Sequence, residues 1–190
     1  MTPVRIVLLL ALTTLAACAA PVHTVRDSTG AFCSPLGPHA TDVVVFVFGS
    51  PDCPIANAIA PELERLHQRT LVSGGTMYLV HARADVTPHV ATNHARDYGL
   101  TMPVLLDEDQ ALVQAMDATV TPEGVVLLRT ATGWRTVYQG RVNDLYASIG
   151  NRRDTATEHW LRAGIDAAFA ESTVTPTYRR PVGCFIEQLQ

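Results

Sequence analysis

Residues 42–48 read Asp-Val-Val-Val-Phe-Val-Phe and are apolar at nearly every position. A strand that is apolar on both faces is covered on both sides, which is typical of the centre of a sheet with helices on each face. A Gly-Ser-Pro-Asp turn ends this run. Residues 55–69 follow as a predicted helix, because Ile59, Leu63 and Leu66 recur at helical spacing. The pattern therefore begins with a buried strand and continues into an amphipathic helix.

The same alternation continues along the chain. Thr87 and Pro88 predict a helix start, as N-cap and first helical residue. The further predicted elements are a strand at 76–80, a helix at 87–98, a short strand at 103–107, a short helix at 109–116, a hairpin of strands at 124–129 and 134–139, and a helix at 154–170. Alternating strands and helices favour parallel pairing, and the late hairpin adds antiparallel strands. This order resembles an α/β thioredoxin-like fold, with a central mixed sheet flanked by helices and an insertion between its halves.

The N-terminus predicts export. Arg5 precedes an apolar stretch at 6–15, which is too short to span a bilayer about 30 Å thick and is typical of a signal peptide over residues 1–17. The following Leu-Ala-Ala-Cys at 15–18 resembles the lipobox of bacterial lipoproteins. That resemblance implies a diacylglyceryl group on Cys18 and a lipid anchor in the bacterial cell envelope, with the protein facing the periplasm or the exterior. The alternative is an ordinary signal peptide in which this cysteine is incidental.

Length and composition then divide the chain. Its 190 residues suit one domain with tails. Residues 18–40 are rich in Pro, Gly, Ser and Thr and are predicted to tether the lipidated cysteine to a domain at 41–172. Residues 173–190 are predicted to form an extended tail that carries Cys184. The net charge of −4, with basic residues clustered only in the arginine pairs at 152–153 and 179–180, gives no electrostatic footprint for nucleic acid.

Cys53 is the first candidate for chemistry. It follows the central strand and begins the next helix, where the helix dipole and free N–H groups stabilise a thiolate and lower the pKa of the thiol. The alternative is a cysteine that only fills space in the core. Its acidic neighbour Asp52 is expected to raise the pKa of the thiol and so to oppose the helix.

The remaining cysteines offer Cys53 a partner. With Cys18 acylated, an odd number remains, namely Cys33, Cys53 and Cys184. Outside the cytosol two of them can persist as a disulfide. In a Cys53–Cys184 pair, the tail folds back over the domain and Cys184 serves as a resolving thiol or a metal ligand. In a Cys33–Cys184 pair, the bond ties the two tails together. Both pairings are open.

Several short motifs resemble the redoxins, the family of thioredoxins, membrane-tethered thiol–disulfide reductases and peroxiredoxins. Residues 48–57 resemble their active-site turn, and Val-Thr-Pro at 120–122 resembles the turn that bears a cis-proline opposite the active cysteine. Exported bacterial redoxins have the same order of motifs, matched here by Asp-Cys-Pro-Ile-Ala-Asn at 52–57, Thr-Pro-Glu at 121–123, Tyr-Gln-Gly-Arg-Val-Asn-Asp at 138–144 and Gly-Cys at 183–184. The resemblance implies that Cys53 is catalytic and that Thr121 and Pro122 shape the substrate groove.

The chain departs from each redoxin subclass at one position. Ala56 stands where thioredoxins have their second cysteine, so a mixed disulfide at the catalytic cysteine has no resolving thiol beside it. Asn57 stands where the copper chaperones of this fold have their second cysteine. Phe46 stands where peroxiredoxins have a proline, although Ser50 matches their Thr or Ser position. The chemistry therefore depends on Cys184.

The resulting expectation is a thiol–disulfide oxidoreductase without a cofactor, acting on protein thiols or disulfides in the envelope. A second hypothesis is a non-enzymatic binding module or a copper- or haem-protein maturation factor, in which Cys53, Cys184 and one histidine supply soft ligands for Cu(I). A third is a peroxidase with an antioxidant role. Among the histidines, His67 is expected at the surface and His81 is expected to be a hydrogen-bonded structural residue.

Overall fold

The chain folds around one central strand. The computed structural model describes residues 23–189, so the predicted signal peptide and the predicted lipidation site Cys18 lie outside the described residues. Strand β3 (Val43–Gly49) is buried at all seven positions. It pairs in parallel with β4 (Thr76–His81) and antiparallel with β7 (Glu123–Thr130). The prediction of a central strand covered on both faces is confirmed.

The main sheet is mixed and has eight strands. From one edge to the other they are β11 (Tyr178–Arg179), β8 (Gly133–Gly140), β7, β3, β4, β5 (Val104–Leu106), β1 (Val25–Asp27) and β2 (Phe32–Cys33). The expected hairpin is present, since β7 and β8 pair antiparallel. Residues 23–189 also form two small sheets: β9 (Tyr146–Ser148) with β10 (Asn151–Arg152), and β6 (Val120–Thr121) with β12 (Cys184–Phe185).

Helices pack on both faces of the main sheet. They are α1 (Pro54–Ala58), α2 (Ala60–Val72), α3 (Pro88–Asp97), α4 (Ala111–Met116) and α5 (Trp160–Phe169). Alternate residues of β3 divide the core: Val45 belongs to a cluster with Leu63 of α2 and Ile165 of α5, and Phe46 belongs to a second cluster with Leu112 of α4. The expected α/β architecture, a central mixed sheet flanked by helices, is confirmed.

The first helix is divided. The single helix predicted at 55–69 is interrupted at Ile59, which separates α1 from α2. Pro61 follows in the first turn of α2 and lacks the N–H group that a continuous helix would need. The predicted start of α3 is confirmed, because the Thr87 side chain accepts a hydrogen bond from the Val90 N–H at 3.3 Å.

The last helix is shorter than the prediction at 154–170. Helix α5 begins only at Trp160. The Asp144 carboxylate accepts hydrogen bonds from the N–H groups of Thr157 at 2.7 Å and Glu158 at 2.9 Å. These bonds use the backbone donors that a longer helix would present at its start, and they hold the preceding segment as a loop.

The predicted tether at 18–40 is wrong for its described part. Strand β1 pairs antiparallel with β5, and β2 pairs antiparallel with β1, so both extend the main sheet. Val25 is buried, and the Asp27 carboxylate accepts the N–H groups of Thr29 and Ala31 in the turn between the strands. Strands of two or three residues are too short to show an alternating pattern, which is why the sequence reads as a linker.

The C-terminal tail is extended, as predicted, and it contacts the domain twice. Strand β11 pairs in parallel with β8, and β12 pairs antiparallel with β6. The tail therefore returns to the end of the sheet where β3 meets α1. None of the helices within residues 23–189 combines the length and the apolar character that crossing a bilayer requires.

Candidate functional site

Cys53 lies where the central strand gives way to a helix. It is the N-cap residue of α1, and Pro54 follows it in the first turn. The Cys53 N–H donates to the Ser50 carbonyl at 3.1 Å, which closes the turn after β3, and its own carbonyl accepts the Asn57 N–H at 3.0 Å. The cysteine is only 1% exposed. Its thiol is thus held in place by the backbone geometry at the end of the sheet.

The turn at Thr121 and Pro122 faces this thiol. The Cys53 thiol donates to the Thr121 carbonyl at 3.0 Å. The Thr121–Pro122 peptide bond is cis, in the position where the sequence resemblance places such a proline. Both residues of this turn are therefore beside Cys53, although their roles in a reaction stay predictions.

The tail brings Cys184 to the same place. In the β6–β12 pair, Cys184 is directly opposite Thr121. Because the carbonyl of Thr121 also accepts the Cys53 thiol, the two cysteines are neighbours. Cys184 itself is exposed, whereas Cys53 is buried beneath the tail. The structure thus juxtaposes the two thiols, and the part of Cys184 in catalysis stays a prediction.

The two thiols differ in acidity. Burial by itself raises the pKa of Cys53, but hydrogen bonds from the Ala56 N–H and from Cys184 outweigh burial and leave the pKa below its ordinary value. Partial desolvation and the hydrogen bond to Cys53 raise the pKa of Cys184 to about 11. Cys53 is therefore the more acidic thiol of the two.

A small cleft opens beside the thiols. Its volume is about 130 Å³, and its lining includes Gly49, His81, Arg83, Cys184 and Ile186. The Asp52 carboxylate is also there, and it pairs with the Arg83 guanidinium at 2.6 Å. The pKa of Cys53 is lowered overall because hydrogen bonds outweigh burial, and the opposing effect expected of Asp52 stays a prediction.

Two buried histidines stand behind the cleft. His81 Nδ1 is 3.0 Å from the Gly49 carbonyl, so this nitrogen carries the proton, and burial lowers the pKa of His81 to about 4. His94 Nε2 is 2.9 Å from the Asn57 side-chain oxygen, while the Asn57 amide donates to the Pro51 carbonyl at 2.8 Å. The two rings meet edge to face with centroids 5.1 Å apart. Asn57 thus links the turn before Cys53 to these rings.

The contact between these two histidines was not predicted from the sequence. His81 is hydrogen-bonded through Nδ1, as expected, whereas its Nε2 has no hydrogen-bond partner within residues 23–189. His67, expected at the surface, is only 6% exposed because it lies on the inner side of α2. The one available signal was the position of His81 at the end of a buried strand. No pattern in the sequence marks His94 as its neighbour.

Cys33 lies elsewhere. It is on β2, at the edge of the main sheet opposite β11. All three cysteines of the described chain are free thiols. Neither predicted disulfide is formed in this structure, and of the two candidate partners Cys53 is the one that lies beside Cys184. Within the described range, no group of three or more His, Cys, Asp or Glu side chains has a geometry suited to a metal ion.

Comparisons with known proteins address the fold. No protein-family model matches the chain, and no curated protein matches it either. A hypothetical protein from Sinorhizobium meliloti is 24% identical over 86% of this chain and 89% of that chain, with a TM-score of 0.73. An uncharacterized conserved protein from Geobacillus kaustophilus is 22% identical over 90% of each chain, with a TM-score of 0.71.

A third similar structure has a described activity. It is a secreted Mycobacterium tuberculosis disulfide oxidoreductase homologous to E. coli DsbE, and it is 21% identical over 77% of this chain and 96% of that chain, with a TM-score of 0.53. The thioredoxin domain of a Bacteroides vulgatus thiol–disulfide oxidoreductase also matches, with a TM-score of 0.52. At these identities the similarity establishes architecture. The chain therefore has a thioredoxin-like fold.

Proposed function

We propose that this protein is an extracytoplasmic thiol–disulfide oxidoreductase in which Cys53 is the nucleophile and Cys184 the resolving thiol. The observation that carries the proposal is the position of Cys184 opposite Thr121, whose carbonyl accepts the Cys53 thiol at 3.0 Å, so that the two cysteines lie side by side. A thiolate attacks a disulfide, and a protonated neighbour that can later lose its proton completes the exchange. The partner is a protein thiol or disulfide, and no cofactor takes part.

The reaction proceeds in two exchanges. The Cys53 thiolate attacks one sulfur of the partner disulfide, so a mixed disulfide forms and the other partner sulfur leaves as a thiolate that takes up a proton. Cys184 then gives up its proton and attacks the Cys53 sulfur. The second partner sulfur leaves as a thiolate, and Cys53 and Cys184 are joined. Two electrons have passed from the cysteine pair to the partner, and the reverse sequence oxidises a partner dithiol.

The predicted signal peptide supports a location outside the cytoplasm. The apolar stretch at 6–15 and the Leu-Ala-Ala-Cys motif favour export and lipidation of Cys18. A similar fold occurs in a secreted mycobacterial oxidoreductase. Membrane fractionation of cells that express the wild type and Cys18→Ala tests the anchor. We expect the wild type in the membrane fraction and the variant in the soluble fraction of the envelope.

The activity is tested with a synthetic peptide disulfide and purified protein. Cys53→Ser should abolish reduction of the disulfide, because serine cannot form the mixed disulfide. Cys184→Ser should stop after the first exchange and accumulate a mixed disulfide on Cys53, which is visible by intact mass. Cys33→Ser is the matched control and should keep the wild-type rate. Equal rates for the wild type and Cys53→Ser would reject the proposal.

Copper binding is the second candidate. Two neighbouring soft thiols suit Cu(I), although the described chain has no group of three His, Cys, Asp or Glu side chains in a metal-binding geometry. Anaerobic titration with Cu(I) and a competing chelator tests this role. Stoichiometric uptake that is lost in both Cys53→Ser and Cys184→Ser supports it, and no uptake by reduced protein refutes it. A stopped-flow peroxide assay on the same variants tests peroxidase activity.

A further inference from the structure

A second groove adjoins the cleft beside the thiols. Its volume is about 480 Å³, and it is lined by residues of β9, of β12 and of the tail segment 178–183. Phe185 lines both the cleft and this groove. Among the described residues, the charged side chains in its lining are those of Arg141 and Arg180. We call this surface the arginine groove.

The arginines of this region have no acidic partner. Arg141 and Arg179 lie against the Trp160 ring, with guanidinium carbons 5.7 and 5.3 Å from its centroid. The Arg141 Nε donates to the Arg180 carbonyl at 3.2 Å. None of the salt bridges within residues 23–189 includes any of these three arginines. Partial burial and the neighbouring Arg179 also lower the pKa of Arg141, so an anion at this surface would stabilise a charge that the fold leaves uncompensated.

Two carboxylates approach the arginine groove, and both are engaged by other groups. Asp144 accepts two backbone N–H groups ahead of α5 and pairs with Arg153 at 3.5 Å. Glu123 is 1% exposed and accepts the Thr119 N–H at 3.0 Å. Residues 1–22 contain no Asp or Glu, so they cannot supply the missing charge. The groove is therefore positive in a chain whose net charge is −4, and we expect the complementary charge to come from another molecule.

Exposed apolar side chains form much of the remaining lining. Ile149 is 71% exposed, Tyr178 54% and Phe185 79%, and all three line the arginine groove. Single exposed apolar residues are ordinary, but a group of them beside unpaired arginines is typical of protein interfaces, in which aromatic residues and Arg are enriched. A ligand with both apolar and acidic side chains is complementary to this surface.

We propose that the arginine groove binds a segment of the partner protein that carries both acidic and apolar side chains. Its carboxylates pair with Arg141 and Arg180, and its apolar side chains cover Ile149 and Phe185. Because Phe185 follows Cys184 directly, a segment held there brings its protein beside the thiols. The groove thus recognises the surface of the partner apart from its cysteines, and its part in substrate choice rests on the proposed function.

A protein segment fits these features better than a membrane does. The surface is concave, so a segment can fill it, whereas a bilayer presents a flat face. A bilayer in contact with Phe185 would also cover its neighbour Cys184, which is exposed. Vesicle binding is therefore measured against peptide binding.

Binding is tested with a fluorescent, cysteine-free peptide of ten residues in which glutamate and leucine alternate. We expect saturable binding to the full-length wild type by anisotropy, with an affinity that falls as salt is added. Arg180→Glu should weaken binding about tenfold or more, because it places like charges together. Ile149→Ser should weaken it severalfold, and it serves if the first variant fails to fold. Arg135→Glu is the matched control, since it makes the same charge change at an exposed position near the other end of β8 from Arg141, and it should bind like the wild type.

The composition of the peptide supplies further controls. A peptide with lysine in place of every glutamate should not bind, and one with serine in place of every leucine should bind severalfold more weakly. Absence of binding to the wild type overturns the proposal, as does an equal loss in Arg135→Glu and Arg180→Glu. Phosphatidylglycerol vesicles that bind the wild type but not Arg180→Glu, when the peptide binds neither, would assign the surface to a membrane instead. A wild-type dimer that Arg180→Glu disrupts would assign it to a second copy of this chain.

A kinetic measurement separates the groove from the chemistry. A small peptide disulfide, with and without the glutamate–leucine segment attached, is given to the wild type and to Arg180→Glu. We expect the segment to lower KM severalfold for the wild type alone and to leave kcat unchanged. Peptide binding without disulfide reduction would refute the proposed function and leave the groove as a binding site. Reduction that is indifferent to the segment would refute the role of the groove in substrate choice and leave the oxidoreductase standing.

Discussion

The two cysteines of the site belong to regions of opposite character. Cys53 follows β3, a strand buried at every position and paired on both sides. Cys184 lies in β12, a strand of two exposed residues that is paired on one side only. One half of the site is thus part of the core, and the other half is attached to the surface by a few contacts.

This difference separates the functions of the two halves. Regions with few buried apolar contacts open at low free energy, whereas core strands open only with the whole domain. The core keeps Cys53 in a fixed geometry and the tail supplies a hydrogen bond that lowers its pKa. We therefore expect the tail to detach at a lower free energy than the core, so that one segment both covers Cys53 and lowers its pKa.

The largest expected effect is on the free energy of unfolding. Oxidation should join the tail to the core through a disulfide. A Cys53–Cys184 disulfide closes a loop of roughly 130 residues and stabilises the fold by up to about 5 kcal/mol in the chain-entropy model. Urea unfolding of oxidised and reduced Cys33→Ser protein measures this, since that background cannot form other pairs within the described chain. An oxidised form no more stable than the reduced form would contradict the prediction.

Matched apolar truncations compare the regions directly. Phe46→Ala empties a fully buried position of β3 and should cost about 3–5 kcal/mol of unfolding free energy. Ile186→Ala should cost less than about 1 kcal/mol globally, because the tail detaches locally instead. It should nevertheless speed hydrogen exchange at residues 119–121. A loss as large as that of Phe46→Ala would place the tail within the cooperative core.

Lowering the pH should destabilise the protein through His81, which lies on the core side of the site. The pKa of His81 falls from an ordinary 6.5 to about 4 on burial. Below pH 6.5 the unfolded chain binds a proton that the folded chain excludes until about pH 4, so stability is full above this window and falls as the pH decreases through it. The loss is about 3 kcal/mol. Denaturant unfolding between pH 7 and 4 measures it, and His81→Asn should flatten the slope.

The smallest expected effect is on thiol acidity. Cys184→Ala removes the side-chain hydrogen bond to Cys53 and should raise the pKa of Cys53 toward its ordinary value. Thiolate absorbance at 240 nm as a function of pH measures this shift. Cys33→Ala, which alters a distant thiol on β2, is the control. A Cys53 titration identical in the wild type and Cys184→Ala would show that the tail does not activate the nucleophile.

Local patterns predicted much of this molecule. The apolar run of β3, the Thr87 cap of α3 and the hairpin of β7 and β8 all follow from neighbours in the chain. The position of Cys53 at a helix start follows from the same pattern. These features depend on periodicity, capping and turn residues. Because each of these acts over only a few positions, it can be predicted from the sequence.

Other features needed the tertiary structure. The choice of Cys184 over Cys33 as neighbour of Cys53, the two strands at 25–33, and the burial of His81 beside His94 join segments far apart in the chain. Residues 183–189 carry no strong period, and their place is decided by the open edge of β6 and the side chain of Gln110. Propensity describes a residue and its neighbours, whereas such pairings depend on which surfaces the rest of the fold leaves free.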